Sequence, residues 1–444
     1  MLRLRQESTA PWTSRRGRRP ATLGVMSPAT LPAPVSGDDQ TPGCAVVWSP
    51  QLADYDFGPY HPMSPVRLTL THELACAAGL LQRPGVQIID APVASRDQLA
   101  TVHTDAYLDA VARASEPLDL DAHDELISFG IGGDDVPAFR GMHTASARLV
   151  GGSIAAVDAI RSGRVRRAVH VAGGMHHARP GRASGFCIYN DAAVAIRHAL
   201  AAGEERVLYI DVDVHHGDGV EMALWDEPRA ITLSLHETGE VLFPGTGFIQ
   251  DSGGTAAPGS AINVPLPPRT GPDGWLRSIE ATVPALARAI RPTLLVTQHG
   301  ADTHRMDPLA DFTVTLEAQR AAMEILRDVA DEVCDGRWLA LGGGGYAVID
   351  VVPRSWAQLI AIATGDPIPG DDALPDAYLA AESRARLEHG IPDDPGARCW
   401  GDRVPLAQRR PWSEGMDPED PLDRAIQAAR RAAFPEWGLD PFLD

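Results

Sequence analysis

Short apolar runs alternate with longer amphipathic stretches along the body of the chain, from about Ala45 to Gly365. The runs Val207–Ile210 and Leu294–Thr297 have the length and the apolar content of buried strands. Stretches rich in Ala and Arg lie between such runs and have helical spacing. The clearest predicted helices are Gly152–Arg161, Asp191–Ala202 and Leu316–Cys334. This alternation predicts an α/β fold, in which one domain has a central, mostly parallel sheet covered by helices on both faces.

The two ends of the chain differ from this body. Residues 1–43 carry six Arg among many Pro, Ser and Thr, and no apolar core follows Arg15-Arg16. We therefore interpret them as a disordered leader and not as a secretory signal; Met26 is an alternative start, and a transit peptide is the alternative interpretation. Residues 44–365 are the predicted main domain. We expect residues 366–444, rich in Pro, Asp and Arg, to pack on it as loops and one or two helices, such as Pro421–Ala433.

Composition excludes several classes of protein. Hydrophobic residues make up 44% and charged residues 22% of the 444 residues, which is typical of a globular chain. Its apolar runs stop short of the roughly 20 residues that a membrane helix needs, so we expect a soluble, cytoplasmic protein. The net charge of −20 argues against direct nucleic-acid binding. All 39 basic residues are Arg, which excludes a catalytic Schiff-base lysine.

The five cysteines are scattered along the chain, and none belongs to a Cys-x-x-Cys pair. Their odd number and spacing indicate reduced thiols and exclude a disulfide scaffold or a thiolate zinc site. They are Cys44, Cys76, Cys187, Cys334 and Cys399.

Four of the strand-like runs end in polar or glycine residues. These endings are Gly173–His177, Asp211–Asp218, Gln298–Asp302 and Gly342–Tyr346. The carboxyl ends of parallel strands meet along one edge of the sheet, where α/β folds place their active sites. We therefore expect residues from four distant segments to meet in one site.

The ending after Val207–Ile210 predicts a metal ion. Alternate residues of a strand share a face, so Asp211, Asp213 and His215 should point the same way. Two carboxylates and an imidazole on one face demand a cation, and zinc accepts both ligand types while keeping a position open for water. Asp302 is the predicted third ligand, beside Asp213 and His215. An isolated Asp-x-Asp would be explained better as a helix cap, but the other three endings favour the metal.

Two adjacent imidazoles, His176 and His177, predict acid–base chemistry. Both rings can face one point only from a turn, which Gly173-Gly174 permits. A neutral imidazole beside the metal can take a proton from water. Asp211 and Asp218 are candidate partners that would fix the tautomers. The alternative is a pair of core histidines with satisfied hydrogen bonds.

The run Gly342–Gly345 lacks the spacing of a phosphate-binding loop. Four glycines let the backbone come close to the site and would carry the hydroxyl of Tyr346 over the metal, where it can stabilise an oxyanion. The alternative is a simple turn with a surface tyrosine.

Together these motifs resemble the zinc-dependent histone deacetylase family, which has an arginase-like α/β fold, and within it the bacterial acetoin-utilisation deacetylases. The resemblance implies a zinc-dependent deacetylase of acetyl-lysine in proteins, with acetyl-coenzyme A synthetase as a candidate partner. The matching segments, in the family's order, are His176–Ala178, Gly185–Asp191, Asp211–Gly219, Ser234–His236, Phe243–Gly247, Gly300–Asp302 and Gly342–Tyr346.

The resemblance also implies roles for individual residues. It makes His177 the general base with Asp218 as its partner, pairs His176 with Asp211, and makes Tyr346 the oxyanion-stabilising residue. The implied ligands of one zinc ion, or of ferrous iron instead, are Asp213, His215 and Asp302. The implied ligands of a structural potassium ion are Asp211, Asp213, His215, Ser234 and Leu235. The implied substrate-binding residues are Asp135, Gly185, Phe186, Phe243, Leu309 and Gly344.

Arginases share this fold but bind two manganese ions through Asp-x-His-x-Asp and a later Asp-x-Asp. Here Gly217 and His304 replace the two carboxylates of the second metal, so one metal is predicted. No role for His304 follows from the sequence.

Two other functions remain open at this stage. Deacetylases of acetylated polyamines tend to carry a carboxylate at the rim of the tunnel, whereas Leu309 at the aligned position favours a lysine side chain. A catalytically inactive module that binds acyl groups would lack a catalytic residue, and none is missing here.

Overall fold

Eight strands form one continuous sheet in the computed structural model, which describes residues 43–116, 123–392, 398–406 and 410–444. The strands are β1 (Cys44–Val47), β2 (Val86–Ile89), β3 (Arg167–His170), β4 (Val207–Asp211), β5 (Ala230–Glu237), β6 (Ala261–Leu266), β7 (Leu294–Gln298) and β8 (Trp338–Leu341). Their order in the sheet is β2-β1-β3-β8-β7-β4-β5-β6, and every neighbouring pair is parallel.

The central strands are buried on both faces. Every residue of β4, β5, β7 and β8 is buried, as is typical of a parallel sheet covered by helices on both sides. Strands β4, β7 and β8 therefore read as mostly apolar runs, whereas β5 alternates apolar residues with the buried polar residues Thr232, Ser234 and His236. The predicted α/β fold class is confirmed.

Twelve α-helices occupy the described part of the chain. They are α1 (Val66–Ala77), α2 (Arg96–Leu99), α3 (Asp105–Ala114), α4 (His123–Ser128), α5 (Met142–Arg161), α6 (Asp191–Ala201), α7 (Asp218–Leu224), α8 (Pro272–Ile290), α9 (Leu316–Cys334), α10 (Val352–Ala363), α11 (Asp376–His389) and α12 (Pro421–Ala433). Helices α9 and α12 have the predicted bounds, and α6 ends one residue before its predicted end.

Helix α5 begins ten residues before the predicted start at Gly152, at Met142. The pair Gly151-Gly152, which in sequence indicates a helix boundary, lies in the middle of this helix. A Cβ atom at Gly151 would overlap the carbonyl oxygen of Pro92, and one at Gly152 would overlap the ring of His170. Close packing therefore requires glycine at these two positions, although glycine is a poor helix former.

The sheet order brings the four predicted clusters together. Strands β3, β8, β7 and β4 are consecutive neighbours in the sheet. Because all four are parallel, the segments that follow them leave the same edge at adjacent positions.

Residues 366–444 contribute α11 and α12 to the described unit. The Arg277 side chain of α8 holds the Asp423 carboxylate of α12 at 2.7 Å, and the His304 ring lies 2.7 Å from the Asp402 carboxylate. The division of the chain at Gly365 stays a prediction. The predicted leader lies outside the described residues except for Gly43.

None of the helices in the described part of the chain is long and apolar enough to span a membrane. All five cysteines lie within the described residues and are free thiols.

Candidate active site

Three side chains converge just beyond the carboxyl ends of β4 and β7. Asp213 and His215 follow the last residue of β4, and Asp302 follows β7. The Nδ1 atom of His215 lies 3.2 Å from Oδ1 of Asp213 and 3.2 Å from Oδ2 of Asp302. All three residues are buried, and their possible ligand atoms lie within 4.8 Å of one another.

Hydrogen bonds from the protein fix both carboxylates of this group, and Oδ1 of Asp213 accepts one of them, from the His215 amide at 3.0 Å. Oδ2 of Asp213 accepts hydrogen bonds from Nε2 of Gln298 (2.7 Å) and from the Gly344 amide (3.0 Å). Oδ1 of Asp302 accepts from the Val214 amide at 3.1 Å. These outer bonds fix the orientation of the two carboxylates and leave Oδ1 of Asp213 and Oδ2 of Asp302 facing His215.

The group fits a small divalent ion. Bonds of about 2.0–2.2 Å at tetrahedral angles separate neighbouring ligand atoms by roughly 3.3–3.6 Å, close to the spacing found here. Burial and the charge of Asp213 raise the pKa of Asp302, which shows the repulsion between the two carboxylates. Glycine is required around them, because a Cβ atom at Gly300 or Gly344 would overlap a carboxylate oxygen. Two carboxylates and one imidazole are the donor set of a three-ligand zinc site.

His176 and His177 occupy the turn after β3, where Gly174 has a φ of +91°. Their Nε2 atoms lie 3.0 Å apart, so both rings face the same point. Nδ1 of His176 lies 2.8 Å from Asp211, and Nδ1 of His177 lies 2.8 Å from Asp218. A carboxylate on each Nδ1 favours the tautomer with its proton there and leaves Nε2 of a neutral ring as an acceptor.

The surroundings of the two imidazoles drive their pKa values in opposite directions. Burial disfavours the charged form of His176, but Asp211 and Asp213 outweigh it and raise its pKa to about 9. Burial and the charge of His176 lower the pKa of His177 to about 3, against the influence of Asp218. Neighbouring groups whose pKa values are driven apart are suited to separate acid and base roles.

Two residues at the start of α6 hold the turn that carries these histidines. The Asp191 carboxylate accepts from the amides of Gly174 (3.0 Å) and Met175 (2.8 Å). The side-chain Nδ2 of Asn190 donates to the carbonyl oxygen of Ala178 at 2.9 Å. The turn is therefore fixed on both sides by buried side chains.

Tyr346 follows the glycine run after β8. Burial and the charges of Asp302 and Asp213 raise its pKa well above the ordinary value, so the phenol keeps its proton at neutral pH and can donate a hydrogen bond. Its backbone amide donates to Asp307 at 2.8 Å. Its ring packs edge-on against Phe186, with centroids 5.5 Å apart.

Aromatic rings flank the approach to the histidines. Phe243 is 46% exposed, and its ring packs edge-on against His177, with centroids 5.0 Å apart. Phe186 lies against Tyr346 and has a φ of +63°. A Cβ atom at Gly185 would overlap the His177 ring, which explains why glycine stands there. The predicted lining residues Gly185, Phe186 and Phe243 thus border the histidines and Tyr346.

The predicted rim residues lie further out. Asp135 is exposed, and its carboxylate accepts from the Gly185 amide at 3.0 Å. Leu309 is half-buried, and its amide donates to Asp307 at 3.0 Å. His61, to which the sequence analysis gave no role, packs its ring against Phe186 at 4.6 Å between centroids.

The residues predicted to bind potassium lie on neighbouring strands. Asp211 of β4 pairs in register with Ser234 of β5, and Leu235 is buried. The Ser234 hydroxyl lies 2.9 Å from Nδ1 of His236. The potassium site stays a prediction.

Several residues that support the site carried no role in the sequence analysis. Gln298 binds Asp213, as described above, and Arg179 binds Asp218 at 2.8 Å. Arg67, on α1, donates to the carbonyl oxygen of Gly343 at 2.8 Å. Only Gln298 had a sequence signal, its place in a strand-end cluster; Arg67 contacts a segment 276 positions away, which no local pattern reveals.

The amino-acid sequence of this chain is similar to those of several known proteins. The family model of the histone deacetylase domain matches residues 61–363. The acetoin utilization protein AcuC of Bacillus subtilis (strain 168) is 36% identical over 387 residues, covering 87% of this chain and 94% of the relative. AcuC of Staphylococcus xylosus is 36% identical over 345 residues, covering 78% and 88%.

The fold is also similar to those of two solved structures of HDAC homologues. An HDAC homologue from Aquifex aeolicus superposes with a TM-score of 0.75 and 26% identity, covering 88% of this chain and all of that one. An HDAC homologue complexed with SAHA gives a TM-score of 0.75 with 25% identity and the same coverage. The predicted resemblance is confirmed. The chain belongs to the histone deacetylase family.

Proposed function

We propose that this deacetylase is zinc-dependent and hydrolyses the acetamide of acetyl-lysine in proteins. The observation that carries the proposal is the convergence of Asp213, His215 and Asp302 beside two imidazoles of opposite charge preference, His176 and His177. Each of these five residues is buried, and each carboxylate or ring has a partner that fixes its orientation.

Asp213, His215 and Asp302 would hold the ion. A divalent ion held there supplies Lewis acidity that polarises the acetyl carbonyl and acidifies water. Zinc suits two carboxylate oxygens and one nitrogen, and ferrous iron accepts the same donors. A structural potassium ion on the Asp211–Ser234 side of β4 and β5 belongs to the same proposal.

His177 acts as the general base in this mechanism. Its Nε2 takes a proton from the attacking water while Asp218 holds Nδ1, and the hydroxide oxygen bonds to the acetyl carbon. The Tyr346 hydroxyl donates to the carbonyl oxygen as negative charge develops on it. The C–N bond then breaks, and His177 or His176 returns the proton to the leaving nitrogen, which gives acetate and a free lysine amine.

The surroundings favour an extended aliphatic side chain as substrate. Phe186 and Phe243 supply aromatic rings on which a methylene chain can pack, and Leu309 places an apolar side chain, not a carboxylate, at the predicted rim position. Asp135 is exposed and can bind the backbone of a protein substrate. Acetylated lysine of acetyl-coenzyme A synthetase is the proposed substrate in the cytoplasm, in line with relatives named for acetoin utilization. We propose no contact with nucleic acid or membrane.

Turnover of an acetyl-lysine peptide, compared with that of acetylspermidine, tests the substrate class. We expect the peptide to be the better substrate by kcat/KM, with one equivalent of zinc or iron per chain in elemental analysis. Exclusive use of acetylspermidine would replace the proposal by a polyamine deacetylase. Metal content without turnover of any acylated amine would indicate a binding module.

A further inference from the structure

The backbone of Phe186 adopts a conformation that few side chains accept. Ser184 and Cys187 exchange two hydrogen bonds between their amides and carbonyl oxygens, at 3.1 and 2.9 Å, so that Gly185 and Phe186 form a two-residue hairpin turn. The φ values of Gly185 and Phe186 are +54° and +63°. Glycine accepts a positive φ at little steric cost, but a bulky aromatic residue does so only where its surroundings hold it there. The place of the Phe186 ring therefore depends on contacts made to this turn.

The hydroxyl of Tyr55 bonds to the backbone on both sides of Cys187. It donates to the carbonyl oxygen of Phe186 at 2.7 Å and accepts from the amide of Ile188 at 3.2 Å. Burial raises the pKa of Tyr55 well above its ordinary value, so the phenol keeps the proton that it donates. One oxygen atom thus ties the end of the turn to a segment 131 positions away in the sequence.

Other aromatic side chains hold Tyr55 and its partners in place. Phe57 and Phe139 pack edge-on against the Tyr55 ring, with centroids 5.3 and 6.0 Å away. The Tyr107 hydroxyl of α3 donates to the carbonyl oxygen of Ile188 at 2.6 Å. Ile188 is buried and lies outside the strands and helices, so its backbone groups need partners from elsewhere in the chain. Tyr55 and Tyr107 satisfy both of them.

We propose that Tyr55 is a positioning residue, which holds the Phe186 ring where the methylene chain of an acylated lysine packs. This inference rests on the proposed function, in which that chain passes Phe186. Without the Tyr55 hydroxyl, the carbonyl oxygen of Phe186 and the amide of Ile188 lose their bonds to it. The turn is then free to move its ring away from the Tyr346 ring, which now lies 5.5 Å away between centroids. Substrate binding weakens as a result, whereas the histidines and the metal ligands keep their positions.

Steady-state kinetics of Tyr55→Phe on one acetyl-lysine peptide test this role. The change removes a single oxygen atom and keeps the ring that packs on Phe57 and Phe139. We expect KM to rise about tenfold while kcat stays within about twofold of the wild type, because the lost contact serves binding and not chemistry. Tyr378→Phe is the matched control, since Tyr378 is also buried and its hydroxyl has no hydrogen-bond partner among the described residues. This control should keep the wild-type KM.

A second background separates positioning of the ring from a general loss of stability. In Phe186→Gly the turn accepts its positive φ and has no ring to place, so adding Tyr55→Phe should not change KM further. A hydroxyl with a merely structural role would raise KM by the same factor in both backgrounds, and that result would overturn the inference. Circular dichroism and thermal unfolding monitor folding.

If Tyr55→Phe does not fold, Tyr107→Phe decides the matter, because it frees only the carbonyl oxygen of Ile188. We expect it to raise KM about threefold in the wild-type background and not in Phe186→Gly. An unchanged KM in the folded variants, with the peptide still hydrolysed, would overturn the positioning role and leave the proposed function intact. A wild-type chain that hydrolyses no acetyl-lysine peptide would overturn the proposed function and this inference with it.

Discussion

The two carboxylates of the candidate metal group, Asp213 and Asp302, each turn one oxygen toward the ring of His215. Both carboxylates are buried, and among the described residues no arginine forms an ion pair with either of them, although the ring of His215 lies 3.2 Å from each. Such an arrangement is costly unless a cation occupies it. The chemistry of individual atoms thus argues for a metal more strongly than the residue types do.

Replacing Asp218, the partner of the proposed general base His177, should slow the reaction without unfolding the chain. In Asp218→Asn the side chain no longer favours the His177 tautomer whose Nε2 accepts a proton, so kcat should fall by about 10²–10⁴. Steady-state kinetics and a thermal unfolding curve measure the two effects. Glu227→Gln, which changes a half-buried carboxylate away from the site, serves as the control and should keep full activity.

Tyr346→Phe removes one hydroxyl from the site. Because the proposed role of the phenol is to donate to the developing oxyanion, turnover should fall by about 10²–10³ while folding is retained. The wild type and variant are compared by kcat on one acetyl-lysine peptide. Activity close to that of the wild type would remove Tyr346 from the mechanism.

For individual residues, the sequence predicted those of the candidate site that contact one another. It did not predict all of the residues that hold them in position. Asp302 lies 3.2 Å from His215, as the strand-end argument required, because two adjacent parallel strands must end side by side. Arg179 and Arg67 were beyond prediction, since an arginine is common on any surface and its partner is set by tertiary packing. The roles assigned to the site residues stay predictions until they are tested by substitution.

Among the helices and strands, α6 packs in the core and also holds the turn that carries His176 and His177. Its first turn holds the segment from Gly174 to Ala178 through Asn190 and Asp191. Burial raises the pKa of Asp191, although the Ser153 hydroxyl and two backbone amides stabilise its charged form. The position of the two histidines therefore depends on the end of a neighbouring helix.

Asp191→Asn should disturb the histidine turn. In this variant an NH2 group replaces one carboxylate oxygen, and at the position of Oδ2 it would face the Ser153 hydroxyl and the Gly174 amide that now donate to that oxygen, which costs about 1–3 kcal/mol of unfolding free energy. A displaced pair of imidazoles should lower kcat by about 10²-fold. Ser153→Ala is the comparison, because it removes one hydrogen bond to Asp191 and leaves the turn bonded. Equal losses of kcat in the two variants would contradict a positioning role.

Element boundaries were predicted where apolar periodicity and helix ends coincide, as in α9. The start of α5 was not predicted correctly. Glycine usually indicates the end of a helix, but here Gly151 and Gly152 lie inside α5 because they pack against Pro92 and His170. Only the tertiary structure shows that a side chain at those two positions has no room.

For the whole molecule, the fold class followed from the alternation of strands and helices, whereas the strand order could not. Sequence patterns identify strands but not their neighbours, and here β3 lies between β1 and β8, which are far from it in sequence. The extent of the leader and the domain division remain untested predictions.

Removal of the metal should lower the stability of the whole chain. A ligand that binds only the folded state at 1,000 times its Kd adds about 4 kcal/mol to the unfolding free energy. Chelation should therefore lower the Tm, and added Zn²⁺ should restore it. In Asp302→Asn, which weakens binding and removes the repulsion with Asp213, the Tm should no longer respond to chelator. A Tm that is insensitive to chelator in the wild type would argue against a tightly bound ion.

The tail should respond to acid through Asp402. Burial opposes its charged form, but the hydrogen bond and charge of His304 prevail and lower its pKa to about 2. A carboxyl with a lowered pKa in the folded state stabilises the fold above pH 4, and this contribution is lost as the pH falls through about 2. The difference in urea midpoint between wild type and Asp402→Asn should therefore shrink as the pH is lowered from 5 to 2.5. A constant difference would contradict the assignment.

The bond between His304 and Asp402 ties two distant parts of the chain together. His304 lies two residues beyond Asp302, at the position where an arginase has a carboxylate that binds its second metal ion. In this chain the His304 ring instead contacts the C-terminal region, through Asp402. A shortened chain that ends at Gly365 would keep every group of the reaction yet lose the anchor behind Asp302. We expect such a truncation to fold poorly or to bind a metal ion at Asp302 more weakly, which would make the segment after the family domain a working part of the enzyme.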